Sequence, residues 1–228
     1  MNSYILKTTA LFFFISFVAC KSDKKENEDL KIENDVVHKQ SESEKHLQNI
    51  LRAHNATKFK EENQVKFNLE ISMTDEIFFN GFVTLKTDGS KARFLDSNTD
   101  RIVHRNNLNS ELDKKLYHLA TLYGMGFWLN EDKFEKQTSD QDNFNHAVFE
   151  TSVNSSTFNI STHPLTDILQ NVTYKTNISE PPFNEATVHY DKYITVNRVP
   201  VALNWYFVDQ TDTIATAKVS RISYPETF

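Results

Sequence analysis

The sequence predicts an α+β fold built on one antiparallel sheet of roughly ten strands with two main helices. Three observations carry that expectation. From Gln64 to Ser72 the odd-numbered residues (Val65, Phe67, Leu69, Ile71) are apolar and the even-numbered ones polar, which is the period of a strand with one face on a core and the other in water. Two serine-led capping boxes, Ser41-Glu42-Ser43-Glu44 and Ser110-Glu111-Leu112-Asp113, open stretches with apolar residues at helical spacing. The strand-like segments come in two blocks separated by the second helix, so sequential strands are expected to pair as antiparallel meanders.

The first residues do not belong to that domain. Lys7 precedes an apolar run from Leu11 to Ala19 that ends at the single cysteine, Cys20. A basic residue, a short apolar stretch and a small residue before the cut describe a signal peptide over residues 1–19. The run is too short for a membrane span, which needs about 20 apolar residues. Phe17-Val18-Ala19-Cys20 resembles the bacterial lipobox, which implies that Cys20 is lipidated and becomes the new N-terminus. Each buried CH₂ adds about 0.8 kcal/mol, so several acyl chains there make a permanent membrane anchor. No thiol is then left for a disulfide, and stability has to come from a core.

Residues 20–45 carry the lipidated cysteine and a flexible tether, because this stretch is dense in Lys, Asp and Glu with few larger apolar residues and cannot offset its ordering entropy. Ser22-Asp23-Lys24-Lys25-Glu26 resembles the charged export signal of surface lipoproteins in Bacteroidota. It reads equally as a solvated spacer.

Residues 46–228 are expected to form a single domain. Leu47, Ile50, Leu51 and His54 mark one stripe of a first helix that ends near Asn55-Ala56. After the alternating strand 64–72, Ile77, Phe79, Val83 and Leu85 share a face with Phe78 and Phe82 opposite, and Thr87-Asp88-Gly89-Ser90 turns into a strand at Lys91–Leu95. Arg101–His104 continues the meander. The second helix presents Leu112, Leu116, Leu119 and Tyr123 and runs to Gly124, with Phe127-Trp128-Leu129 behind it. Alternation returns at Asn145 and recurs around Phe158, Val172, Val188, Trp205 and Thr213–Ile222.

This order of elements, with Ala53-His54-Asn55-Ala56 closing the first helix and Phe127-Trp128-Leu129 following the second, resembles a family of Bacteroidota outer-membrane lipoproteins whose fold is similar to the Lol-type lipoprotein carriers. The resemblance covers about residues 46–224. Where the family commonly has Ala-His-Gly-Gly, Asn55 has to supply the left-handed turn that glycine would. The resemblance implies an unclosed antiparallel β-barrel with helices packed in or against its concave face, and it carries no activity across. On that fold Phe67, Leu69, Ile71, Phe79, Val83 and Leu85 are expected to line the concavity and contact an acyl chain, lipid or lipoprotein. The alternative is a surface-exposed interaction module with a filled core, contacting another envelope protein through Phe78, Phe82 and Tyr206. Alternation cannot separate a filled core from an unfilled one.

Other functions lose support. Twenty-five Lys and Arg against 31 Asp and Glu give a net charge of -6, which is no surface for nucleic acid. None of the four glycines frames a phosphate loop, a dinucleotide fingerprint or a nucleophile elbow, so no cofactor and no enzymatic activity is expected. Asp96-Ser97-Asn98-Thr99-Asp100 opens like a calcium loop, but Arg101 and Asn107 occupy the positions of its glycine and its bidentate glutamate. It reads as a hairpin turn, and Asp140-Gln141-Asp142 is equally short of ligands. The eight histidines show no metal-ligand spacing, so no metal is expected. The partners left are a membrane, through the N-terminal lipid, and a hydrophobic ligand or envelope protein.

Overall fold

A computed structural model describes residues 40–74, 76–130, 133–137 and 144–227. The signal peptide, Cys20, the tether through residue 39 and Asp140-Gln141-Asp142 lie outside the described residues. The helices are α1 (Glu42–Ala53), α2 (Ala56–Glu61) and α3 (Glu111–Trp128). The strands are β1 (Gln64–Met73), β2 (Glu76–Lys86), β3 (Lys91–Leu95), β4 (Asp100–His104), β5 (Phe134–Gln137), β6 (Asn145–Thr151), β7 (Ser156–Thr162), β8 (Leu169–Lys175), β9 (Glu185–Val196), β10 (Val199–Asp209) and β11 (Asp212–Ser223).

All eleven strands form one antiparallel sheet in the order β4-β3-β2-β1-β11-β10-β9-β8-β7-β6-β5. Each block pairs with its sequence neighbours, as two meanders should, and the blocks join where β1 meets β11, with Leu69 opposite Val219 and Ile71 opposite Ala217. β4 and β5 are left as edges, so the sheet is an unclosed half-barrel, and α3 is the connection that runs from one edge to the other.

The helices fill the concave side. Ser41 and Ser110 cap α1 and α3 in complete capping boxes with Glu44 and Asp113. Residues 42–45, assigned to the tether by composition, form the first turn of α1. Phe67 of β1 stacks on Tyr123 of α3 with ring centroids 4.1 Å apart, and Phe59 of α2 stacks on Phe127 of α3 at 4.0 Å. Apolar side chains of β1, β2, β3, β7, β8, β9, β10 and β11 close over these rings to form one core.

The structure departs from the sequence expectations at five further places, each with a physical reason. The end of α1 is followed by the extra helix α2, with Asn55 between them at φ 52°, the left-handed conformation expected of it. α3 continues past Gly124 to Trp128, because Gly124 and Gly126 admit the Trp128 and His54 rings where a Cβ would collide with them. α3 is buried nearly all round instead of along one stripe, with Leu112 at its exposed start. The short β5 had no legible alternation, since it buries Phe134 alone. A β-bulge lets Ile71 face Phe79 while Ser72 faces Ile77. The extra residue reverses the faces beyond it, so Ile77 is 61% exposed while Phe78 packs on Phe183 at 5.1 Å.

Candidate functional site: an apolar slot beside α3

Phe67, Leu69, Ile71, Phe79, Val83 and Leu85 lie together beneath the helices, none more than 2% exposed. They form the floor of the packed core, and none of them lines the pockets described below. The concave face at these strands is occupied by α3, so the expected ligand-lining surface is a protein–protein contact within the chain.

Open space remains in the gap between the sheet edges. Tyr117, Thr121, Met125 and Trp128 recur along one face of α3, and with Phe149, Thr151 and Val153 of the β6 region they line a half-open slot of about 40 Å³, with Arg105 at the end of β4. The polar tips of its aromatics are already used. The Tyr117 hydroxyl donates to Gly89 O at 2.5 Å and the Trp128 indole N–H to Thr87 O at 2.8 Å, so both rings are pinned to the turn between β2 and β3 with their apolar bodies toward the slot. Burial pushes the Tyr117 phenol up to about 12, which keeps it a proton donor. Thr121 Oγ1 donates to Tyr117 O at 3.0 Å within the helix. The slot therefore offers rings, a thioether and methyl groups, with a guanidinium at its edge.

A second, smaller cavity of about 20 Å³ lies under α1, walled by His54, Tyr123, Phe127, Tyr190, Tyr193 and Trp205 among others. That volume suits about one water molecule. Three of its polar groups serve the backbone: Tyr190 donates to Leu122 O at 2.9 Å, Tyr193 donates to Leu169 O at 2.9 Å, and His54 Nε2 accepts from Leu169 N–H at 3.1 Å. His54 is a structural pin at the end of α1. Burial lowers it to about 4, and its partner is a backbone donor from β8.

The remaining candidates resolve into structure. Asp96 Oδ1 accepts from the Asn98 and Thr99 amides at 2.7 and 2.6 Å, the geometry of a hairpin turn. Among the described residues no three His, Cys, Asp or Glu side chains could hold a metal ion together, and no helix is long and apolar enough to cross a membrane. Phe78 leaves the proposed outer face for the core, and Phe82 is half-buried beneath the Lys66 ammonium, 4.8 Å from the ring centroid. Sequence reading missed the slot. Its one legible trace was the spacing of Tyr117, Thr121, Met125 and Trp128 along α3, but the residues facing them are Arg105, just after β4, and residues of β6 and the turn beyond it.

No family model matches the chain, and no curated protein does. Among solved structures it is similar to a DUF1329 family protein from Desulfovibrio piger, with 6% identity and a TM-score of 0.42 over 80% of this chain and 92% of that one. It is similar to a LolA superfamily protein from Nitrosomonas europaea, with 8% identity and a TM-score of 0.42 over 79% and 94% of the two chains. A domain from Vibrio parahaemolyticus described as an outer membrane lipoprotein-sorting protein gives 9% identity and a TM-score of 0.45 over 82% and 94%. At scores this low the likenesses decide nothing about function, and the half-barrel rests on the strand order itself.

Proposed function

We propose that this chain is a lipid-anchored cell-envelope protein, held to a membrane through Cys20, that binds one hydrophobic chain in the slot between α3 and β6. The observation that carries this reading is the slot itself: its aromatic and aliphatic wall lies where the sheet fails to close, with the polar tips of Tyr117 and Trp128 turned away into backbone hydrogen bonds. Buried apolar walls with few directing polar groups are the usual form of a hydrophobic-ligand site. The reading makes it a binding protein and not an enzyme.

The test is native mass spectrometry of the protein purified from its own envelope, alongside a Thr121→Trp variant whose indole occupies the slot. A stoichiometric lipid or fatty acid on the natural chain, absent from the variant, is the expected result. A bare mass that takes up no lipid on titration overturns the reading.

The packed concavity also favours a second reading, an interaction module. Leu95 and Ile102, 39% and 48% exposed on neighbouring strands β3 and β4, then belong to the contact surface, with Tyr206 elsewhere on the sheet. Envelope crosslinking from position 102 to one defined protein would support it.

A further inference from the structure

The slot carries a charge that a purely apolar ligand would not use. Arg105 follows the free edge strand β4, anchors its own backbone N–H on Ser90 O at 3.0 Å, and presents an exposed side chain at the slot wall. The other arginines of this edge are engaged: Arg93 binds Asp100 through two contacts of 2.9 Å, and Arg101 binds Asp113 at 2.7 and 3.0 Å. Arg105 has no ion pair among the described residues. Asp88, in the turn between β2 and β3, accepts from the Ser90 amide at 2.8 Å. Arg105 lines the same slot as Tyr117 and Trp128, which places its side chain by the slot's aromatic wall.

Size narrows the ligand further. A slot of about 40 Å³ takes the end of a single alkyl chain, and two parallel chains or a fused ring system would have to displace α3 from the core. Met125, the unbranched and flexible apolar side chain in the wall, can give way lengthwise to a thin chain.

Resting on the slot reading above, we infer that the ligand is a single-chain anionic amphiphile, part of its alkyl tail between α3 and β6 and its carboxylate or other anionic head on the Arg105 guanidinium. A guanidinium binds such a head through a fork of parallel N–H donors.

The experiment is calorimetric titration of the mature chain, residues 20–228, carrying Cys20→Ser, which removes the lipid and the need for detergent. The probes are dodecanoate and dodecyltrimethylammonium, each below its micellar concentration. Dodecanoate is expected to bind at least tenfold more tightly than the cationic probe, and Arg105→Gln is expected to abolish that preference while leaving the tail contacts, with Arg105→Lys keeping part of it. Equal binding of the two probes, unchanged by Arg105→Gln but lost in Thr121→Trp, overturns the anionic ligand and leaves the slot standing. Failure of both probes to bind, or binding that survives Thr121→Trp, overturns the slot and this inference together. Arg105 is exposed, so its substitution leaves folding intact.

Discussion

Single buried histidines show how closely this core is fitted. His54 and His118 are held neutral, lowered by burial to about 4 and about 3 from an ordinary 6.5, and His118 Nε2 has no hydrogen-bond partner among the rings of Phe158, Tyr174 and Phe183. Their folded values lie below the unfolded one, so the unfolded chain takes up protons first as pH falls. The stability they share in is complete above pH 6.5 and is lost as pH drops toward 4 and then 3. For His54 alone the loss is about 3 kcal/mol across that window. Urea midpoints should therefore fall between neutral pH and pH 4, and His118→Phe should flatten the slope. An unchanged midpoint across that range would show that neither ring is buried neutral. Gly126 is the partner of this arrangement, since a Cβ there would stand 2.5 Å from the His54 ring. Gly126→Ala should cost about 1–3 kcal/mol by overpacking, and less in a His54→Ala background, as a double-mutant cycle by denaturation would record.

At the level of elements, the edge strand β4 and the start of α3 are stitched together. Arg101 grips both oxygens of Asp113, which is also the reciprocal partner of the Ser110 cap, and this pairing holds the Asp113 carboxyl below its usual range. Arg101 is 45% exposed on its side chain, so the bridge is partly screened. Asp113→Asn should cost about 2 kcal/mol, chiefly through the lost charge-assisted bonds. Hydrogen exchange should show the loss as faster opening of β4 and the first turn of α3, and uniform exchange throughout would place the stitch elsewhere. The bulge in β2 marks the limit of pattern reading at this scale. Ile77, Phe79, Val83 and Leu85 look like one face on paper, yet one extra residue at Phe78 sends Ile77 to solvent and brings Phe78 to Phe183. A bulge is a property of the pair, and the alternation of β2 alone contains no sign of it.

For the whole molecule, the concavity and the candidate site are different places. Phe67 is stacked against Tyr123 in the floor, while the slot is walled by the far side of α3. Phe67→Ala should therefore lower stability by about 3–5 kcal/mol. Phe67→Leu should fold and bind dodecanoate like the natural chain. Loss of binding in a folded Phe67→Leu protein would return the site to the strands of the concave face. α3 decides this separation, because as the bridge between two unpaired edges it is packed on the sheet on one side and leaves a seam on the other.

The sequence by itself determined the antiparallel blocks, both capping boxes and the burial of the odd residues of β1. Each of these is written in neighbours a few positions apart, where alternation, capping and backbone preference act. Tertiary structure alone decided that the two blocks meet through β1 and β11, that β5 exists, that α3 runs through its glycines, and that open space lies at Trp128 and Arg105 instead of Phe67 and Phe79. Those outcomes depend on which distant surfaces fill one another, and a periodic pattern records that a face is covered without recording by what.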